Sequence, residues 1–336
     1  MTILLTGGAG YIGSHTAAAL IAAGHAVVLY DNFCNSRPDT VDRLQTITGQ
    51  VVPVVRGDIR DTELLTQTLR THGVRKVVHF AGLKAVGESV SQPIDYYANN
   101  VQGTVSLLQA MRAAQVGSLV FSSSATVYGA PQYLPLDESH PTSATNPYGR
   151  SKLHIEEILA DVARSDAQWR IVCLRYFNPV GAHPSGLIGE TPNGIPNNLM
   201  PYVAQVASGQ RAFLQVYGND YPTPDGTGLR DYIHVVDLAE GHIKALDFLQ
   251  AHTGWHAFNL GTGQGSSVLE MVRAFEAASG REVPYKFAPR RPGDVAACYA
   301  LVNKAAEQLG WRAQRGLADM CTSTWQYQHG LANKTV

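Results

Sequence analysis

Gly7-Gly8-Ala9-Gly10-Tyr11-Ile12-Gly13 follows the apolar run Ile3-Leu4-Leu5 and leads into a helical pattern over residues 11–23, which Gly24 ends. Gly7, Gly10 and Gly13 keep a GxxGxxG spacing. Residues without a Cβ permit a tight turn, let backbone approach a pyrophosphate and pack a helix closely on a sheet. The start of the helix then offers N–H donors to the phosphates. An isolated glycine motif is also explained by a plain tight turn, so its surroundings decide. Asp31 ends the next apolar run, 18 residues after Gly13, where a carboxylate can bind the adenosine ribose hydroxyls. A negative charge there repels a 2′-phosphate, so NAD is favoured over NADP. The alternative for Asp31 and Asn32 is a turn cap.

Outward from this loop, residues 27–30 and 51–55 read as a second and third strand. Asp61 can cap a helix running to about Arg70, with Gly73 beyond its end. Residues 76–80, 118–122 and 170–174 follow as strands with helical stretches between them. Continuous apolar strands separated by helices mean a parallel sheet covered on both faces, a doubly wound α/β domain of Rossmann type. After about Asn178 the texture changes. Residues 181–201 and 218–228 are rich in Gly, Pro and Asn and read as loops able to close over a ligand. Residues 235–249 and 267–279 read as helices and 257–260 as a strand. The expected organisation is a dinucleotide lobe over 1–178, with 235–260 returning to it, and a smaller α/β lobe over 179–336 mainly for substrate.

The chain has 336 residues with 26 Lys+Arg against 27 Asp+Glu, a formal net charge of −1. That balance leaves no electrostatic footprint for bulk nucleic-acid binding or a polybasic membrane contact, so any anionic ligand must be held locally. No apolar run approaches the ~20 residues of a membrane span. Residues 1–10 carry no cationic n-region, so a signal peptide is not expected. Four cysteines far apart, with no CxxC pair, fit free thiols in a reducing cytoplasm. The twelve histidines include no HExxH spacing, and no metal site is expected.

Tyr148-Gly149-Arg150-Ser151-Lys152 opens the helix after the fifth strand. Tyr148 and Lys152 are i and i+4 and share a helical face. Ionising an ordinary tyrosine at pH 7 costs about 4 kcal/mol. A neighbouring ammonium, together with a nicotinium ring, favours the phenolate and makes Tyr148 a candidate general base. Alone, such a pair is most often an exposed helix face. Here it lies behind a nucleotide-binding pattern and beside Ser122-Ser123-Ser124-Ala125-Thr126-Val127-Tyr128-Gly129, whose Ser124 can hold the substrate oxygen that Tyr148 deprotonates.

Together these residues resemble the extended short-chain dehydrogenase/reductases. More narrowly, residues 79–89, Arg175-Tyr176-Phe177-Asn178-Pro179-Val180-Gly181-Ala182, Asn197-Asn198-Leu199-Met200-Pro201 and Arg230-Asp231-Tyr232-Ile233-His234-Val235 resemble the UDP-galactose 4-epimerase family. The likeness runs from about residue 2 to about 330. It implies reversible C4 epimerisation of UDP-glucose and UDP-galactose through a 4-keto sugar, with tightly bound NAD regenerated at each turnover. Tyr148 then removes the proton of the 4-hydroxyl, Ser124 shares the hydrogen bond, and Lys152 lowers the phenol pKa and holds the nicotinamide ribose. The resemblance assigns NAD contacts to Gly7, Gly10, Tyr11, Ile12, Gly13, Asp31, Asn32, Asn35, Ser36, Asp58 and Ile59. It adds Phe80, Ala81, Lys84, Asn99, Ser122, Tyr148, Lys152 and Phe177. Substrate contacts fall to Lys84, Ser124, Tyr148, Asn178, Asn198, Leu199, Arg230, Tyr232, Arg291, Asp294 and Cys298. A homodimer is implied as well. Arginine suits a diphosphate because its fork donates two parallel charged hydrogen bonds.

Three rivals share part of this pattern. Nucleotide-sugar 4,6-dehydratases begin with the same hydride step but need an acid and a base after the serine position, where this chain has Ala125 and Thr126. Decarboxylating relatives likewise need a Glu at the position of Thr126. A non-catalytic NAD-sensing protein has little reason to keep Tyr148, Lys152 and Ser124 together. Cys298 departs from the bulky Tyr of family members confined to the hexose pair, which leaves room for an acetamido group. UDP-N-acetylglucosamine and UDP-N-acetylgalactosamine are therefore expected as further substrates, the alternative being a small buried apolar residue.

Overall fold

The computed structural model describes residues 1–332 except Asn193, Ile195 and Pro292. Pro292 and residues 333–336, all of the expected substrate lobe, thus lie outside the described residues. The strands are β1 (Thr2–Thr6), β2 (Ala26–Asp31), β3 (Val54–Arg56), β4 (Val74–His79), β5 (Ser118–Ser122), β6 (Arg170–Tyr176), β7 (Asn178–Val180), β8 (Leu214–Tyr217), β9 (Leu229–His234), β10 (Gly254–Leu260), β11 (Gly265–Ser267), β12 (Tyr285–Ala288) and β13 (Ala297–Cys298). Seven of them form one parallel sheet in the order β10-β6-β5-β4-β1-β2-β3. The chain moves one way from β1 through β2 to β3, then returns to β4 on the other side of β1. This reversal opens a crevice at the carboxyl ends of β1 and β4, where doubly wound sheets bind ligands.

Alternation along β1 shows why the sheet needs cover on both faces. Ile3 and Leu5 join one apolar cluster, with Leu20 of helix Tyr11–Ala22, Leu44 of helix Asp39–Thr48 and Leu246 of helix Val235–Ala251. Leu4 points the other way, to Leu65 of helix Thr62–Thr71, Leu107 of helix Gly103–Ala113 and Leu159 of helix Pro147–Ser165. Helix limits follow local chemistry. Asp61 accepts from the Leu64 N–H, and Ser267 and Glu270 form a reciprocal capping box that Gly280 closes at the far end. Expected at 51–55, the third strand forms as Val54–Arg56. Pro53 has no N–H for a ladder, and Val51 is exposed.

A smaller sheet joins β11, β9 and β13, with β7 paired to β9, and β8 pairs with β12. Its own core holds Val203 of helix Leu199–Ala207, Tyr232 of β9, Phe275 of helix Val268–Ser279 and Met320 of helix Leu317–Ala332. Asp231, fully buried, ties this lobe together by accepting from the N–H groups of Thr262, Gly263 and Ala300. No described helix is long and apolar enough to cross a membrane.

Candidate active site

The main cavity opens at the carboxyl ends of β1 and β4. Gly7 sits at φ +68°, and a Cβ there would lie 2.7 Å from Ala81 N. A Cβ on Gly13 would lie 2.5 Å from Gly7 O. The loop is therefore folded tightly on itself and on the end of β4, and only glycine fits at these two positions. Helix Tyr11–Ala22 starts at Gly10 with no side-chain cap, so its first-turn N–H groups face a cavity lined by Gly10, Tyr11, Ile12 and Gly13. A dinucleotide pyrophosphate fits such a cradle.

Asp31 both caps and lines. One carboxylate oxygen accepts from Ala9 N (3.0 Å), and the other from Phe33 N and Ser36 Oγ (both 2.8 Å). Three donors occupy about four acceptor sites, leaving room for one more hydrogen bond toward the cavity. Asn32, Asn35, Ser36 and Ile59 line the same end. Asp58 stands outside the lining. Arg60 holds it in two 2.8 Å hydrogen bonds and pulls its carboxyl down to about 2, and it meets the lining residues Asn32 (3.5 Å) and, through its carbonyl, Tyr30 (2.8 Å).

At the other end, Ser124, Tyr148 and Lys152 meet, all at least nine-tenths buried. Asn146 caps helix Pro147–Ser165 by accepting from Gly149 N at 2.8 Å, which fixes the turn carrying Tyr148. Lys152, one turn further on, donates to Ser122 O at 2.8 Å and lies 4.7 Å over the Phe121 ring. The electrostatics differ from the sequence expectation. Burial raises the Tyr148 phenol above its ordinary value, and only the Ser124 hydrogen bond opposes it. Burial also brings the Lys152 ammonium down to about 8. Lys152 gives one of its three N–H donors to the Ser122 carbonyl, which anchors the ammonium one helical turn from Tyr148.

Phe80, Ala81, Lys84, Asn99, Ser122, Phe177, Asn178 and Asn198 line the cavity between these ends. Arg230, Tyr232, Leu199, Arg291, Asp294 and Cys298 do not. Tyr232 and Leu199 belong to the core of the smaller lobe. Arg230, Arg291 and Asp294 form a second cluster: Asp294 lies 2.9 Å from Arg291 Nε and 3.9 Å from Arg230 Nη2. Cys298 is the register partner of Arg230 and packs against the apolar cluster that includes Ala125 and Phe177. It thus links this cluster to the strand end that carries Ser124.

Several lining residues had no signal of their own in the sequence. Tyr176 meets the Ser122 hydroxyl, and Thr126 bonds Ser124. Glu190 accepts from Lys84 Nζ (3.2 Å) and Asn198 Nδ2 (2.7 Å), joining a loop of the smaller lobe to the segment after β4. Arg43 makes a similar tie, donating to Leu187 O at 3.1 Å. Buried Asn100 lies on the π-helical turn Tyr97–Gln102, holds both Leu83 backbone groups and meets Ser151. Two adjacent asparagines inside a helical pattern were the only hint of it. Among the described residues, no group of three or more His, Cys, Asp or Glu side chains is arranged to hold a metal.

A family model described as GDP-mannose 4,6 dehydratase matches residues 4–324. The UDP-glucose 4-epimerase of Yersinia pestis is 58% identical over 329 residues, covering 98% of this chain and 97% of that one. The crystal structure of UDP-glucose 4-epimerase from Stenotrophomonas maltophila, with bound NAD and formylated UDP-arabinopyranose, matches with a TM-score of 0.98. It is 50% identical, with 99% of each chain covered. The Bifidobacterium longum enzyme, in complex with NAD+ and UDP, matches at TM-score 0.96 and 53% identity over 99% of each chain.

Proposed function

The chain belongs to the UDP-glucose 4-epimerases, within the extended short-chain dehydrogenase/reductases, and on that premise we propose that it interconverts UDP-glucose and UDP-galactose using NAD held in the main cavity. The observation that carries this reading is the meeting of Tyr148, Lys152 and Ser124 at one end of a cavity whose other end is the glycine cradle. The broader family model takes its description from a dehydratase, but Ala125 and Thr126 provide neither the acid nor the base that loss of water needs.

Bound there, NAD⁺ would supply a hydride acceptor and a positive ring charge beside that of the Lys152 ammonium. Tyr148 takes the proton of the sugar 4-hydroxyl and Ser124 donates to the same oxygen. The Lys152 ammonium, anchored on Ser122 O, adds positive charge on the same helical face. After the 4-keto sugar has turned to present its other face, Tyr148 returns the proton. Arg230 and Arg291 serve the UDP diphosphate, the Arg230 fork being held by Leu229 O and Val295 O and that of Arg291 by Asp294. Turnover of UDP-galactose to UDP-glucose is the direct assay. A 4-keto-6-deoxy product, or no product at all, contradicts the reading.

A wider sugar range rests on Cys298, which packs against the apolar cluster that includes Ala125 and Phe177, next to the Ser124 strand end. Cys298 stands behind the cavity lining, and a thiol there, smaller than a tyrosine, would let the adjoining wall take an acetamido group. Wild type is expected to epimerise UDP-N-acetylglucosamine, and Cys298→Tyr to lose that activity at least tenfold while keeping UDP-glucose turnover. If wild type fails on the N-acetyl sugar while turning over UDP-glucose, the pocket is not open at this point.

The reading further assigns the NAD lobe to 1–178 with 235–260 and the substrate lobe mainly to 179–336. β10 lies beside β6, and helix Val235–Ala251 shares the core of helix Tyr11–Ala22, which supports that division. It also places the protein in the cytoplasm as a homodimer. Four free thiols support the first, and exposed Val86, Val90 and Ile94 on neighbouring short helices support the second.

A further inference from the structure

Ser124 follows β5 and caps the single turn Ala125–Val127. Its Oγ accepts from Thr126 N at 3.2 Å and stands 3.0 Å from Thr126 Oγ1. A serine hydroxyl has two lone pairs and one proton. With both lone pairs occupied by Thr126, the proton is the one part of the hydroxyl left to give. Thr126 also touches the other catalytic element. A Cβ on Gly149 would lie 2.9 Å from Thr126 O and 3.3 Å from Thr126 Cβ, so the turn carrying Tyr148 is packed directly on this threonine. Thr126 itself lines the cavity.

We propose that Thr126 is a positioning residue that makes Ser124 an obligatory donor, its single proton going to the Tyr148 oxygen before substrate binds and to the substrate 4-oxygen afterwards. A donor to the phenol oxygen favours the ionised form, and an acceptor favours the neutral one. Thr126 settles which of the two Ser124 is. Valine keeps the shape but removes Oγ1, and one Ser124 lone pair then becomes free to accept from neutral Tyr148. The inference rests on Tyr148 being the base, but not on which sugar is turned over. The other titratable or charged groups facing Tyr148 are Lys152 on its own helix, Tyr96 from helix Pro93–Tyr96 and Tyr176 from β6. Thr126 is uncharged, so its replacement leaves all three in place.

The test is Thr126→Val beside Thr126→Ser, each as purified holoenzyme. Thr126→Val is expected to lower kcat for UDP-galactose about tenfold, with KM within about twofold. It should also move the acid limb of the kcat–pH profile upward by about one unit, the scale of one hydrogen bond. Thr126→Ser is expected to restore both. An ultraviolet titration of the Tyr148 phenol, with Tyr148→Phe as the blank, reads the same upward shift without needing turnover, so it separates this proposal from the epimerase reading. An unshifted phenol in Thr126→Val, or a serine variant as impaired as valine, overturns the role of the hydroxyl.

Discussion

Replacing Tyr148 by phenylalanine is expected to lower kcat for UDP-galactose by about 10²–10⁴-fold, the range of a lost general base, while the protein keeps its NAD. The phenol oxygen is the one group in the cluster able to take a proton from the 4-hydroxyl. The Lys152 ammonium has no lone pair to accept a proton, and Ser124 is committed as a donor. The phenyl ring preserves the packing of the helix start, which is fixed independently by Asn146 and Gly149. NAD content after gel filtration, read beside steady-state kinetics, checks both halves. Unchanged turnover removes Tyr148 from its role, and lost NAD makes it a structural residue.

The second large effect concerns stability. Glu156, one turn beyond Lys152, receives the Arg175 fork at 2.6 Å and 3.1 Å and also the Ser123 hydroxyl. Both charges are almost wholly buried. Removing one partner of such a pair strands the other in a low-dielectric interior and costs about 3–5 kcal/mol. Arg175→Met is therefore expected to lower Tm by roughly 5–10 °C. Because the pair joins the Tyr148 helix to β6 and to the strand end at Ser123, kcat should fall with stability. Combined replacement of Glu156 and Arg175 by apolar residues is expected to cost less than the single change, since no charge is left unpaired. Urea unfolding of wild type and the two variants at fixed NAD concentration checks this, and a double variant worse than Arg175→Met contradicts it.

The parts legible in the sequence are those whose physics is local. The glycine loop, the Asp61 cap and the Ser267 start each depend on residues three to six apart, and they fold where the sequence places them. Tyr148 and Lys152 were visible because a helix brings i and i+4 together. Long-range pairing was less visible. Nothing local in Ala297-Cys298 announces a strand, yet register with Arg230 is what carries Cys298 to the apolar cluster that includes Ala125 and Phe177. Helix Leu317–Ala332 has an apolar face whose partners, such as Phe275, lie about fifty residues away. The direction of the Tyr148 pKa was also hidden. Spacing puts an ammonium nearby, but only the fold shows it anchored on Ser122 O and the phenol raised by burial. The opposite holds for Arg230-Asp231-Tyr232, which reads as one binding string. Arg230 faces Asp294, whereas Asp231 and Tyr232 are interior groups that hold the smaller lobe together.

Transient oxidation at C4, with the same hydride returned to the same carbon, is the centre of the proposed mechanism. The most direct measurement gives purified protein UDP-galactose deuterated at C4, with no NAD added, and follows the sugar by NMR. UDP-glucose retaining its deuterium at C4 is the expected result, because hydride leaves and returns within one closed site. Loss of the label to solvent, a 6-deoxy-4-keto product, or turnover only when NAD is supplied afresh at each cycle contradicts it.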